Sequence, residues 1–471
     1  MMNKINWRNE IEKRKLDLLL DTQNLLKIKS VLDEENGTKE APFGVGVKDA
    51  LDYMLELGEK AGFTTKNVDN IAGSIEIGEG EEVVGILCHV DVVPAGDGWS
   101  SDPFGAEIRD GKIFARGAID DKGPTMAAFY AMKTVAELGL PLSKRVRMII
   151  GTDEESKWRC VDRYFEVEEM PSIGFAPDAD FPIINAEKGI WDFAIIQQPA
   201  KINQNTSFVQ VKSFTSGLRT NMVPDFATAI VETANQEEVT SLFNSYVKNH
   251  SLTATVTPMG NELLFEVKGL SAHALEPNNG VNAGLHLADF LSSLELDEHA
   301  NTYFRYIKEY LIGDTRAVKL GLAYSDEMTG ELTLNAGRFN YSKENASSIG
   351  FSMRYPVTYK WEEYSTKLKA QLKSLNWSLV TNSHSTPHYV DSDSFLIKTL
   401  QKVYEDETGE KADLLSIGGG TYARSLKEGV AFGPLFPGSE DPAHQKDEYM
   451  EIEDMLKAAA IYAAAIYELA K

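Results

Sequence analysis

The sequence predicts an α/β protein, a mostly parallel sheet covered by helices, interrupted by an inserted α+β domain. Three observations point there. Short apolar runs with abrupt polar ends flank a helical stretch in the first 180 or so residues. Near residue 190 the pattern changes to strand-like runs that alternate apolar and polar positions. After about residue 388 the short apolar runs of the N-terminal part return. The chain has 471 residues, more than one hydrophobic core usually serves, so two domains are expected. Their bounds are read as 1–187 with 388–471 for the first and 188–387 for the insertion.

Taken in order, residues 4–28 alternate charged and leucine-rich faces at helical spacing, and a second helix is expected over 47–62. VVGILC (83–88) reads as a strand that stops at His89. TMAAFYAMKTVAELG (125–139) reads as a helix. RVRMIIG (145–151) stops at an acidic cluster, and SIGFA (172–176) stops at Pro177-Asp178. Buried-looking strands around a helix suggest a parallel sheet, and in such sheets ligands gather at the carboxyl ends of the strands. In the insertion, strands are expected at 191–196, 226–232, 262–269, 331–335 and 348–355, with helices near 236–249, 280–295 and 361–374. This pattern reads as antiparallel sheet with helices on one face. A helix over 451–470 closes the chain.

Composition narrows the function. The formal net charge is −24, with 25% charged and 43% hydrophobic residues. Such an acidic chain is a poor partner for nucleic acid or an anionic membrane. Two cysteines, Cys88 and Cys160, fit a reducing compartment, and the charged start MMNKINWRNEIEKRK holds no signal-peptide core. A cytoplasmic location is therefore expected. The apolar stretch AAAIYAAAIYELA is too short to span a bilayer and reads as a packed helix.

Several motifs carry chemistry. His89 and Asp91 form H-V-D at a strand end; residues two apart in an extended chain share a face, so a carboxylate can hold the imidazole's second nitrogen. Asp120-Asp121-Lys122-Gly123 offers a carboxylate able to bridge two cations, or a helix start that favours acidic residues. In Glu154-Glu155 one carboxylate can bind metal while its neighbour moves a proton. Asp178 in APDADFP, His444 in DPAHQKDE and His273 in GLSAHALEPNNGVNA complete the candidates. Each alone also fits a surface turn. Gly418-Gly419-Gly420 is no phosphate loop, because the P-loop lysine is missing, and reads as a close approach of backbone to substrate. No G-x-S-x-G elbow is present and no cysteine-rich zinc pattern. Nitrogen and oxygen ligands without thiolates suit zinc, manganese or cobalt.

The order of motifs resembles the aminoacylase and carboxypeptidase-type superfamily of two-metal peptidases, and within it the bacterial peptidase V-type, carnosinase-like dipeptidases. The matching segments are GILCHVDVVPAGDGW (85–99), FARGAIDDKGP (114–124), GTDEES (151–156), FAPDADFPIINAEKG (175–189), TNMVP (220–224), GLSAHALEPNNGVNA (269–283), SIGGGTYAR (416–424) and the His444 loop. The resemblance implies that His89 and Asp178 hold one divalent metal, Glu155 and His444 the other, and Asp120 bridges them. It implies Asp91 as the group orienting His89, Glu154 as general base acting on a bridging water, and a cis bond between Asp120 and Asp121. The insertion becomes a lid, a doubled ferredoxin-like unit that can serve a monomer. From it His273 and Asn221 would meet the scissile group and Arg354 the substrate's terminal carboxylate, with Gly419 and Gly420 also lining the substrate. Dipeptidases and aminopeptidases of this group tend to carry Asp at the position of Asp178, where deacylases and carboxypeptidases carry Glu. In one departure the histidine loop, which usually continues to Asn-Glu, here reads Asp447-Glu448. The expected activity is hydrolysis of dipeptides with a free N-terminus, zinc being the first choice of metal. The alternatives are an N-acyl amino acid or succinyl-diaminopimelate deacylase of the same fold, and a non-catalytic peptide- or metal-binding protein.

Overall fold

The strand Val83–His89 is buried along its whole length, and its neighbours explain why. It pairs in parallel with Arg145–Gly151 on one side and Ile173–Ala176 on the other, and Ile173–Ala176 pairs in parallel with Gly429–Ala431. Antiparallel strands Ala72–Ile77 and Thr64–Val68 extend one edge, and Ile183–Glu187 pairs antiparallel with Gly429–Ala431 on the other side. Helices Lys122–Glu137 and Ile452–Ala470 contribute almost continuous buried faces to the core against this sheet. The structure is a computed structural model describing residues 5–199 and 209–471.

Over the described residues the chain divides into two compact units. One comprises Met1–Ala186, Tyr389–Ser416 and Gly420–Lys471; the other comprises Glu187–His388 and Ile417–Gly419. Ile417–Gly419, grouped by sequence with the first domain, goes with the second unit, where the Lys188 amide donates to the Ile417 carbonyl at 3.0 Å.

The second unit is built on an antiparallel sheet in the order Thr253–Met259, Glu262–Lys268, Phe226–Thr233, Val209–Ser216, Thr333–Ser342, Ser347–Tyr355, Gly189–Gln197, Trp377–Ser385. Alternate residues of Gly189–Gln197, among them Trp191, Phe193 and Ile195, are buried. They join one apolar cluster with residues of helices Gln236–Asn249, Ala283–Leu291, Glu298–Tyr310 and Trp361–Ser374. A period of two on the strands and buried positions on the helices is what a one-sided sheet requires.

The α/β class holds, and the differences from expectation are local. The helix expected over 4–28 is two, Trp7–Glu12 and Lys15–Leu26, with no proline or glycine marking the break; residue 4 lies outside the described residues. The expected 280–295 helix spans Ala283–Leu291, its start fixed by Asn282, which caps it by accepting from the Leu285 amide at 3.0 Å. The run expected at 331–335 divides: Gly330–Glu331 pairs with Ser325–Asp326, and Thr333 starts a long strand.

Candidate active site

Parallel strands that end at one edge bring their following loops together. His89 closes its strand, Glu154 and Glu155 follow Arg145–Gly151, and Asp178 follows Ile173–Ala176. Asp120 lies just before the helix Lys122–Glu137, joined to Asp121 by a cis peptide bond as expected. His444 comes from the loop ahead of the short strand Tyr449–Glu451.

The His89 ring is fully buried. Its Nδ1 lies 3.1 Å from the Asp91 backbone carbonyl and 3.5 Å from Asp91 Oδ1. A carbonyl only accepts, so Nδ1 carries a proton and Nε2 points into the cluster, where it has no hydrogen-bond partner by geometry. Asp120 Oδ1 is 3.1 Å from that nitrogen and Asp178 Oδ2 is 3.6 Å away. The second oxygen of Asp120, Oδ2, lies 3.0 Å from His444 Nε2, which is itself 3.1 Å from Glu155 Oε1. His89, Asp120 and Asp178 thus offer donor atoms within 4.8 Å of one another, and so do Asp120, Glu155 and His444. Asp120 belongs to both groups, one oxygen to each.

The electrostatics fit a cation site. Burial, reinforced by the Asp120 charge, pushes Asp178 up to about 6. Burial resists charge on Asp120, but the imidazoles of His444 and His89 hold it below the usual carboxylate range. Hydrogen bonds to Asp120 and Glu155 raise His444 to about 10. Burial works against a charged His89, yet the carboxylates of Asp120, Asp178 and Asp91 raise it well above the ordinary value. A cluster that draws in this much positive charge as protons has the donor set that divalent cations would use. Glu154 belongs to neither donor group; burial, with Asp178, Glu155 and Asp120 close by, raises it well above the usual range against the opposing pull of His89.

Supporting residues are only partly visible in the sequence. The Asp91 carboxylate accepts from the Glu154 amide at 3.2 Å and the Glu155 amide at 3.0 Å, so it braces the acidic loop as well as contacting the ring. Asp153, completely buried, accepts from Arg159 Nε at 2.7 Å and from Ser156. Asp121 accepts from the His89 amide at 3.1 Å and from Thr125 Oγ1 at 3.0 Å. Lys122, its pKa lowered by burial to about 7, donates to the Leu25 and Ile28 carbonyls at 3.2 and 2.7 Å. Tyr422 packs edge-on to His89 with ring centroids 5.9 Å apart, and its hydroxyl meets Cys160 Sγ at 3.2 Å. A second carboxylate beside an expected site residue, as at Asp121 and Asp153, is the available signal; nothing in the sequence points to Tyr422.

In the second unit, His273 and Asn221 lie on adjoining segments. Met222 and His273 form an antiparallel bridge, and the Ala274 amide donates to the Asn221 carbonyl at 2.9 Å. Asn335 Nδ2 pins the loop by donating to the carbonyls of Thr220 and Met222, each at 2.8 Å. His273 Nδ1 accepts from the Leu275 amide at 3.1 Å, which puts the ring proton on Nε2. Burial, then the charge of Arg354, lowers the His273 pKa. Arg354 itself is buried on the strand Ser347–Tyr355. A side chain on Gly419 would meet nothing within 4 Å, whereas one on Gly420 would strike Arg424.

Residues 85–468 match the model of Peptidase family M20/M25/M40. A Bacillus subtilis (strain 168) protein provisionally named dipeptidase YtjP is 55% identical over 99% of this chain and 100% of its own length. A Staphylococcus saprophyticus protein provisionally named dipeptidase SSP1012 is 43% identical over 98% and 99%. Among solved structures, the aminoacylhistidine dipeptidase of Vibrio alginolyticus superposes with a TM-score of 0.60 at 13% identity, covering 96% of each chain. Human carnosine dipeptidase 1 does so with a TM-score of 0.55 at 15% identity, covering 98% of each. These structural likenesses speak for the fold.

Proposed function

This chain belongs to peptidase family M20/M25/M40, and from that premise we propose that it hydrolyses the amide bond of dipeptides with a free N-terminus, using two divalent metal ions. The observation that carries the reading is Asp120, whose two oxygens face imidazole nitrogens of two different donor groups at 3.1 and 3.0 Å. One ion would be held by His89, Asp120 and Asp178, the other by Asp120, Glu155 and His444. Histidine and carboxylate donors favour zinc, with manganese or cobalt as alternatives. When bound, such a pair polarises a carbonyl and lowers the pKa of water.

The remaining chemistry belongs to the chain. Glu154, left out of both donor groups, takes a proton from the attacking water and passes it to the departing amine. Its raised proton affinity suits the second half of that task, and Asp91 fixes its backbone through the amide. His273, kept neutral, donates from Nε2–H to the oxygen of the attacked carbonyl, with Asn221 beside it. Arg354 takes the terminal carboxylate with its forked guanidinium, and the backbone at Gly419 and Gly420 lines the substrate. The division into a catalytic domain (1–187 and 388–471) and a lid (188–387), action as a monomer and a cytoplasmic location belong to the same reading. The names of the two relatives and the aspartate at position 178 support a dipeptide over an N-acyl substrate.

The test is a panel of dipeptides, tripeptides and N-acyl amino acids, run on metal-stripped protein restored with zinc, manganese or cobalt. Hydrolysis of free dipeptides alone is expected. Hydrolysis confined to N-acyl amino acids assigns the protein as a deacylase. Bound metal with no hydrolysis of any substrate assigns it as a binding protein.

A further inference from the structure

Asp120 and His444 face each other at 3.0 Å although 324 positions separate them in the chain (444 − 120). Something must bring the two loops into register, and a second contact a few residues away does so. The strand Tyr449–Glu451 pairs antiparallel with Lys112–Phe114, Tyr449 opposite Phe114. One step further along, the Ala115 amide donates to the Glu448 carbonyl at 3.1 Å. The Glu448 side chain then turns toward the Asp120 loop. Its Oε1 accepts from the amide of Ile119 at 3.0 Å and from that of Asp120 itself at 3.3 Å. Its Oε2 is paired with Arg116, and both partners are buried. Arg116 also donates to the Ala95 carbonyl at 3.3 Å and lies over the Trp99 ring.

We propose that Glu448, locked by Arg116, is a positioning residue that sets the bridging carboxylate Asp120 and fixes the His444 loop against it, so that the second metal site is assembled before an ion arrives. The inference rests on the two-metal reading above. The geometry is specific: one oxygen holds two backbone amides while the other is neutralised by a cation that has no other carboxylate in reach among the described residues. Exchanging Glu for Gln places an amide N–H2 against either the guanidinium or the backbone donors, and no orientation satisfies both sides. Asp447, the adjacent residue, does a different job. It accepts from the Ser100 amide at 2.7 Å and the Ser100 hydroxyl at 2.9 Å, and touches neither Asp120 nor Arg116.

The experiment measures zinc dissociation constants by competition with a chromophoric chelator, alongside the melting temperature of the metal-free protein, for wild type, Glu448→Gln, Arg116→Lys and Asp447→Ala. Glu448→Gln should weaken binding of the more labile zinc by about 10–100-fold, the usual cost of losing a group that orients a metal ligand. Activity should recover with excess zinc and KM at saturating zinc should stay put. Arg116→Lys, which keeps the charge but not the fork, should shift affinity in the same direction by less. Asp447→Ala should leave affinity within about twofold of wild type, well short of that cost. Unchanged zinc affinity in Glu448→Gln overturns the assignment, as does an equal loss in Asp447→Ala, which would reduce the effect to general loop order. If Glu448→Gln does not fold, unchanged affinity in Arg116→Lys overturns it as well. A wild-type protein that binds no zinc overturns the two-metal reading itself, a separate result.

Discussion

The two units hold their chemically competent side chains by different means. In the first, the side chains of His89, Asp120, Glu155, Asp178 and His444 face one another, and their backbones are braced by further carboxylates: Asp91 under the Glu154-Glu155 loop, Asp121 under His89, Glu448 under Asp120. In the second, Asn221 and His273 stand on two bridged loop segments held by neutral hydrogen bonds from Asn335, Leu275 and Ala274, and Arg354 stands on the strand Ser347–Tyr355. A cluster of mutually facing acids and imidazoles has a surplus of charge that only protons or cations relieve. Bridged loops carrying single donors have no such surplus, which suits the ligand-contacting role proposed for them. Substitutions of the five donor residues in the first unit should therefore change metal content, and those in the second should change turnover or substrate affinity with metal content intact.

The largest effect is expected for Asp120→Ala, which removes a donor from both groups at once. Bound zinc should fall below one ion per chain, measured by atomic emission after dialysis, and turnover should drop on the order of 10⁴–10⁶-fold, the scale seen when a cooperating catalytic set is broken. Retention of two ions would erase the distinction between the units. Glu154→Gln comes next. Turnover should fall by about 10²–10⁴-fold while zinc content stays at wild-type level; near-normal turnover would remove Glu154 from the proton-transfer role. In the second unit, His273→Ala should cost about 10²–10³-fold in kcat, again with zinc unchanged, and loss of zinc there would contradict the comparison. The smallest effect concerns pH. Because the His273 pKa is lowered, its ring is neutral above the ordinary histidine value of about 6.5 and protonates only below it. The acid limb of kcat/KM should then sit at the same pH in His273→Gln as in wild type. A shift of that limb would show His273 titrating within the working range.

Much of the first unit is legible because its ligands follow apolar strands, and a buried strand that stops at a histidine or an acid is a pattern that local sequence displays. VVGILC ending at His89 and RVRMIIG ending before Glu154 are the clear cases. The edge strand Thr64–Val68 and its neighbour Ala72–Ile77 escape such a reading, and so do the edge strands Thr253–Met259 and Trp377–Ser385. Thr64–Val68, Thr253–Met259 and Trp377–Ser385 are largely exposed and polar, so they lack the apolar run that marks a strand; pairing with a neighbour defines them. The bracing role of Glu448 is equally hidden, since it depends on a partner more than three hundred residues away. The choice of Asp120 over Asp121 comes from family resemblance. Spacing cannot make that choice: the two acids are adjacent, and the structure separates them by what they face, two imidazoles for Asp120 and the His89 amide with Thr125 for Asp121.

One carboxylate shared between two cation sites is the feature on which the proposed chemistry depends. Anomalous scattering from a crystal of the protein grown with zinc, collected on both sides of the zinc edge, addresses that directly. Two peaks should flank Asp120, one beside His89 and Asp178 and the other beside Glu155 and His444. A single peak, or zinc with no contact to Asp120, would contradict it.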